Sequence, residues 1–73
     1  MPPPIPLRVQ IAEIKRELTM RSRAYPRMIE SGKLPAPEAL RRSAALEAAL
    51  ATLENLAEER FQAESLFARN SRR

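Results

Sequence analysis

Glutamates, arginines and lysines are the side chains here that could take part in chemistry, because the 73-residue chain contains no Cys and no His. Thiol nucleophiles, imidazole bases and Cys/His metal sites are therefore excluded. Carboxylates alone support acid–base catalysis only inside a walled pocket, which so short a chain is poorly suited to build. We predict that the protein is not an enzyme and holds no metal or cofactor.

The basic side chains point to binding instead. Residues 1–34 contain seven Lys or Arg and three Glu, whereas residues 35–73 contain six of each kind. The candidate contacts to a phosphate backbone are Lys15, Arg16, Arg23 and Arg27. A net charge of +4 and only three aromatic residues are low values for a nucleic-acid-binding protein. The simplest interpretation of these residues is a solvated helix face; the functional alternatives are contact with nucleic acid and contact with an acidic protein surface.

The elements that must position these residues are predicted to be helices, since Ala, Leu, Glu and Arg are abundant and no segment alternates β-branched residues. An apolar seam with heptad-like spacing follows Leu7, Ile11, Ile14, Leu18, Tyr25 and Met28. The seam keeps its phase across Pro26, so we predict a single first helix over about residues 7–31, kinked at Pro26. A new helix that begins at Pro26 is the alternative.

The chain's only glycine, Gly32, predicts the reversal that ends the first helix. Pro37 suits the first turn of a second helix, predicted over about residues 37–67. Its seam comprises Ala39, Leu46, Leu50, Leu53 and Ala57, and a second apolar stripe comprises Ala45, Ala49, Leu56 and Ala63. The predicted fold is an all-α, two-helix antiparallel hairpin. Its predicted core consists of Ile11, Ile14, Leu18, Leu46, Leu50, Leu53 and Leu56.

The second stripe implies a further partner, because one neighbouring helix covers only one stripe of another. We therefore predict a twofold homodimer in which two hairpins form a four-helix arrangement. Arg21 falls within the first seam, and we expect Glu47, Glu54 or a residue of the second subunit to pair with its charge. The longer second helix should overhang the first. The overhang carries Phe61, Leu66 and Phe67, which either pack on the second subunit or form an apolar patch for a target protein.

The two ends of the chain differ in character from the hairpin domain at residues 7–67. Residues 1–6 form a proline-rich arm. The arm either sets where the first helix begins, with Pro6 in or near its first turn, or presents the PxxPxR pattern of Pro3 to Arg8 to an aromatic groove of another protein. Residues 68–73 form a basic tail with Arg69, Arg72 and Arg73. No apolar run approaches the ~20 residues of a membrane span. We expect a cytoplasmic protein that does not engage a membrane.

The strongest candidates for protein contacts surround the proline of the first helix. Arginine and tyrosine are favoured anchors in protein interfaces. We therefore predict that Arg23, Tyr25, Arg27 and Met28 lie in an interface with another protein.

A longer motif contains these residues and resembles small proteins encoded by phages and prophages of Gram-negative bacteria. It reads Glu13-x-x-Arg16-Glu17-Leu18-x-Met20-Arg21-x-Arg23-x-Tyr25-Pro26-Arg27, then Ile29-x-x-Gly32-Lys33-Leu34, then Leu46-Glu47-x-x-Leu50-x-x-Leu53. The resemblance covers about residues 11–56. Pro35 departs from it, since a Ser-like cap is expected before the second helix.

The resemblance implies a dimeric helical hairpin that acts by binding host proteins. One similar group is the phage quorum-sensing anti-activator, which binds a LuxR-type transcriptional regulator and a pilus-assembly ATPase. On this basis we expect a protein that inhibits or redirects a host protein such as a LuxR-type regulator. A nucleic-acid-binding hairpin dimer is the first alternative, and a structural or assembly component is the second.

Overall fold

The computed structural model describes the backbone of residues 4–70 and the side chains of residues 4–68. Two helices, α1 over Leu7–Glu30 and α2 over Ala36–Asn70, pack against each other as a hairpin. The described residues contain no strand. The predicted all-α hairpin is confirmed, although α2 extends three residues past its predicted end at about residue 67.

The predicted terminal segments are described only in part. Residues 4–6 of the proline-rich arm are exposed and precede α1 without helical structure. Residues 1–3, and the side chains of Arg69, Arg72 and Arg73 in the basic tail, lie outside the described residues.

α1 begins directly after the arm and continues through its internal proline. The Pro6 carbonyl accepts hydrogen bonds from the backbone N–H groups of Val9, at 3.0 Å, and Gln10, at 3.2 Å. Pro26 lies inside the helix, as predicted, although it has no N–H to donate to the carbonyl of Ser22. The Ser22 hydroxyl donates to the carbonyl of Thr19 at 2.6 Å.

The reversal between the helices is a Schellman motif centred on Gly32, whose φ is +77°. The Gly32 N–H donates to the carbonyl of Ile29 at 3.1 Å, and the Lys33 N–H donates to that of Met28 at 2.9 Å. Leu34 follows the turn and is 4% exposed. These bonds satisfy carbonyls at the end of α1, and the buried leucine holds the turn against the helices.

The hairpin has a small core. Within the described residues, only Leu34 and Ala39, the latter 5% exposed, are buried. The structure leaves the seven predicted core residues partly exposed, namely Ile11, Ile14, Leu18, Leu46, Leu50, Leu53 and Leu56. A helix packed against one neighbour covers a single stripe, so a hairpin of 63 × 26 × 18 Å leaves most of its surface in water. In the part of the chain that the structure describes, neither helix has the length and apolar character of a membrane span.

Candidate protein-binding groove

An apolar groove of about 450 Å³ runs between the two helices at the end of the hairpin nearest the turn. The wall from α1 includes Leu18, Arg21, Ser22, Tyr25, Pro26 and Ile29. These residues recur at helical spacing on one face of α1. Tyr25 is partly buried, whereas Pro26 and Ile29 are exposed.

The opposite wall comes from the first three turns of α2. It consists of Ala36, Ala39, Leu40, Ser43, Ala44 and Glu47. Ala39 forms the buried floor, whereas Leu40 stands 76% exposed at the edge. Small side chains on α2 keep the groove open, and the exposed leucine offers apolar area to any molecule that enters it.

Arg21 connects the two helices beside this groove. Its Nε donates to Oε1 of Glu17 at 3.1 Å, and its Nη1 donates to the backbone carbonyl of Arg42 at 3.1 Å. The guanidinium carbon lies 5.7 Å from the centre of the Tyr25 ring, which is cation–π distance. Arg21 therefore contacts both the Tyr25 ring of the groove wall and the backbone of α2.

The prediction that Glu47 or Glu54 would pair with Arg21 is wrong. Glu17 lies one turn before Arg21 on the same helix and forms the ion pair with its guanidinium instead. Glu54 instead pairs across the hairpin with Lys15, with 3.5 Å between its Oε2 and the lysine Nζ.

A third ion pair lies at the start of α2, where Oε1 of Glu38 accepts from Nη2 of Arg42 at 2.6 Å. This hydrogen bond and the Glu38 charge raise the pKa of Arg42, with a smaller contribution from the Tyr25 hydroxyl. The carboxylate of Glu38 also suits the positive end of the helix dipole. Arg42 thus adds a positive charge to that of Arg21 at the junction of the helices.

The outer face of α1 carries exposed arginines. Arg16, Arg23 and Arg27 are exposed, and none of them takes part in the three ion pairs found among the described residues. Arg23 and Arg27 flank Pro26 in sequence, and Met28 beside them is partly buried. The predicted interface residues on α1 thus divide between the groove wall, which includes Tyr25, and the charged outer face of the helix.

The end of α2 is separate from the groove. Residues 61–68 are exposed without exception. Phe61 is 69% exposed and Phe67 76%, and Leu66 shares a hollow of about 310 Å³ with Phe61. α2 is 11 residues longer than α1, so it extends about 16 Å further. The structure therefore does not bring Phe61, Leu66 and Phe67 together with the predicted interface residues of α1.

Sequence reasoning missed several residues of the groove, and Leu40 is the largest apolar side chain among them. The residue lies outside both stripes that were predicted for α2, and it follows Ala39 of the main seam. The sequence could have identified Leu40 as an isolated leucine, one turn after Pro37, on a side of α2 that neither predicted stripe includes. Its position beside Pro26 depends on how the two helices are rotated about their axes.

The architecture places the protein in the class of two-helix antiparallel hairpins. Comparison with known protein families, with curated proteins and with solved structures finds no match to this chain.

Proposed function

We propose that this protein is a non-enzymatic interaction module that binds a partner protein through the groove between α1 and α2. The open apolar groove beside Pro26, with Leu40 exposed at its edge, is the observation that carries the proposal. Exposed apolar surface in a concave site is typical of protein interfaces. The groove is wide and shallow, which suits a partner's side chains better than an enclosed small molecule.

The charges of α1 add a second surface to the groove. Arg23 and Arg27 lie on the outer face of α1, about 130° and 170° around the helix from the centre of the groove wall, and have no ion-pair partner among the described residues. A partner that places apolar side chains in the groove and carboxylates against these arginines has to contact two faces of α1. The proposed partner is therefore a protein with an apolar projection beside an acidic surface.

The resemblance to phage and prophage proteins supports a more specific partner. We propose that the partner is a host protein and that binding inhibits or redirects it, as an anti-activator does to a LuxR-type transcriptional regulator. The protein would then act by occupying a surface that the regulator needs, without chemistry of its own.

Leu40→Ser tests the groove, and Val9→Ser is its matched control. Both residues are exposed, but Val9 lies near the start of α1, outside the groove and about 25 Å along the helix from Pro26. Burial of a leucine side chain contributes about 1.5–3 kcal/mol, and most of the Leu40 side chain is free to be buried. Leu40→Ser should weaken binding by about 6- to 40-fold in a titration against purified LuxR-type regulators. Val9→Ser should bind like the unaltered chain.

Two results would contradict parts of the proposal separately. If the Leu40→Ser variant binds the regulator as tightly as the unaltered chain does, the groove is not the binding site. If no LuxR-type regulator binds the unaltered chain, the assignment of the partner is wrong. A capture from host lysate would then show whether another protein is retained in a Leu40-dependent way.

Nucleic-acid binding is a second candidate function, favoured by the exposed line of Arg16, Arg23 and Arg27. Arg16 and Arg23 are about 10 Å apart along the helix, and Arg23 and Arg27 about 6 Å. Lys15 contributes less because Glu54 already pairs with it. Phosphate contacts weaken steeply with salt. Binding that nuclease treatment or ~0.5 M salt abolishes, and that Arg23→Glu reduces more than Leu40→Ser does, would support this function over the first.

A further inference from the structure

The hairpin exposes more surface than a compact chain of its mass. Its accessible surface is 6451 Å², whereas a compact globular monomer of 8.3 kDa exposes about 4,600 Å². The excess is about 1,900 Å² per chain, and a standard specific interface takes about 800 Å² from each partner. The hairpin thus has enough uncovered surface for a dimer interface in addition to the groove.

One apolar stripe on α2 lies on the side opposite the groove, about 90° around the helix from the seam that packs against α1. We call it the α2 stripe, and it consists of Ala45, Ala49, Leu56, Ala63 and Phe67. At 3.6 residues per turn, these residues fall within about 40° of one another around the helix. All are exposed except Leu56, which is partly buried. The groove residue Leu40 lies about 150° away around the same helix.

The spacing of the α2 stripe is the same in both directions from Leu56. Ala49 and Ala63 lie seven residues on either side of it, and Ala45 and Phe67 lie eleven residues on either side. If two α2 helices pack antiparallel with Leu56 against Leu56, Ala49 of each copy therefore meets Ala63 of the other. Phe67 of each copy meets Ala45 of the other.

This register pairs large side chains with small ones. The Phe67 ring, 76% exposed in the single hairpin, lies over an alanine, and the remaining alanines allow the two helix backbones to approach closely. A parallel pair in the same register would place Phe67 against Phe67 and leave a gap between facing alanines. In the antiparallel pair, Thr52 of each copy faces Arg60 of the other, so these positions bring no two like charges into contact.

We propose that two copies of this chain form a homodimer through the α2 stripe, with their α2 helices antiparallel and the twofold axis at Leu56. The interface is the same patch on both copies, as a twofold dimer requires. Both grooves remain open on the far side of α2, so the dimer presents two binding sites.

Sedimentation of the full chain at about 10 μM tests the association, and a dimer is expected. Ala49→Glu should raise the dimer dissociation constant at least tenfold, because it buries a charge against the Ala63 position of the other copy. Ala51→Glu is the matched control, since Ala51 is an exposed alanine on the other side of α2, and it should leave the dimer unchanged. Helical circular dichroism should be equal in the two variants, because both positions are exposed in the hairpin. A monomer at 100 μM, or equal dimerisation of both variants, would refute the proposal.

Disulfide trapping tests the register, because the chain has no cysteine of its own. Leu56→Cys should form a disulfide-linked dimer readily under mild oxidation, since the two thiols lie at the axis. Ala45→Cys should not, because the two thiols would be about 33 Å apart in the antiparallel pair. Mixed Ala45→Cys and Phe67→Cys chains should cross-link to each other. Efficient self-linking of Ala45→Cys would show a parallel arrangement and overturn the proposed register.

Discussion

Pro26 lies in the interior of α1, and its replacement should stabilise the hairpin. In Pro26→Ala, the new N–H at position 26 can donate to the Ser22 carbonyl, and the clash of the proline ring with that turn disappears. A proline in a helix interior costs about 3 kcal/mol relative to alanine. Greater freedom of the unfolded chain offsets about 0.4–1 kcal/mol of the gain. The free energy of unfolding should therefore rise by about 2 kcal/mol.

Thermal and guanidinium unfolding, followed by circular dichroism at one protein concentration, measure this change. For a domain of this size, about 2 kcal/mol corresponds to an increase in Tm of about 8–16 °C. Pro37→Ala is the matched control, because Pro37 lies in the first turn of α2, where a backbone N–H has no intrahelical partner. Its unfolding free energy should change by no more than about 0.5 kcal/mol. If Pro26→Ala leaves stability unchanged or lowers it, the hydrogen-bond argument fails and the proline maintains a backbone shape that α1 requires.

Three further predictions concern the turn, the core and the surface charges. Gly32→Ala should lower the free energy of urea unfolding by about 1–2 kcal/mol, because alanine is strained at φ +77°. Backbone strain is the whole cost, since no atom lies within 4 Å of an added Cβ. Gly32→Asn should lower the free energy of unfolding less, because asparagine tolerates positive φ better. Leu34→Ala should lower the free energy of unfolding by about 2–5 kcal/mol because Leu34 is buried, whereas Leu40→Ala should change it by no more than about 0.5 kcal/mol. Equal losses of stability in the two variants would contradict the burial of Leu34 and the exposure of Leu40. A double-mutant cycle on Lys15 and Glu54 should give a coupling below about 1 kcal/mol that decreases at high salt; a salt-independent coupling would argue against an exposed ion pair.

The helices and the turn were predictable because local rules determine them. The continuity of α1 followed from the phase of Tyr25 and Met28 relative to Leu18, since a helix that ended at Pro26 would have no reason to keep that phase. Gly32 marked the reversal because glycine adopts positive φ without steric cost. These features depend on residues within a few positions of one another, so they can be derived without knowing how the helices pack.

The contacts of Arg21 and the shape of the groove were not predictable to the same degree. The choice between Glu17 and Glu54 as the partner of Arg21 depends on side-chain rotamers and on helix rotation, which sequence spacing leaves open. The exposed Leu40 became part of the groove only because α2 is rotated to place it beside Pro26. Tertiary geometry of this kind arises from packing between elements that are distant in sequence.

The position of the two buried residues has a consequence for how the chain folds. Leu34 and Ala39 lie five residues apart at the turn, whereas contacts such as Lys15 with Glu54 join residues much further apart in sequence. Closing a short loop costs less chain entropy than closing a long one. Folding should therefore nucleate at the turn and proceed outward along both helices, on the microsecond to millisecond scale of helical proteins with local contacts. The end of the hairpin near Leu7 would then form last and open first.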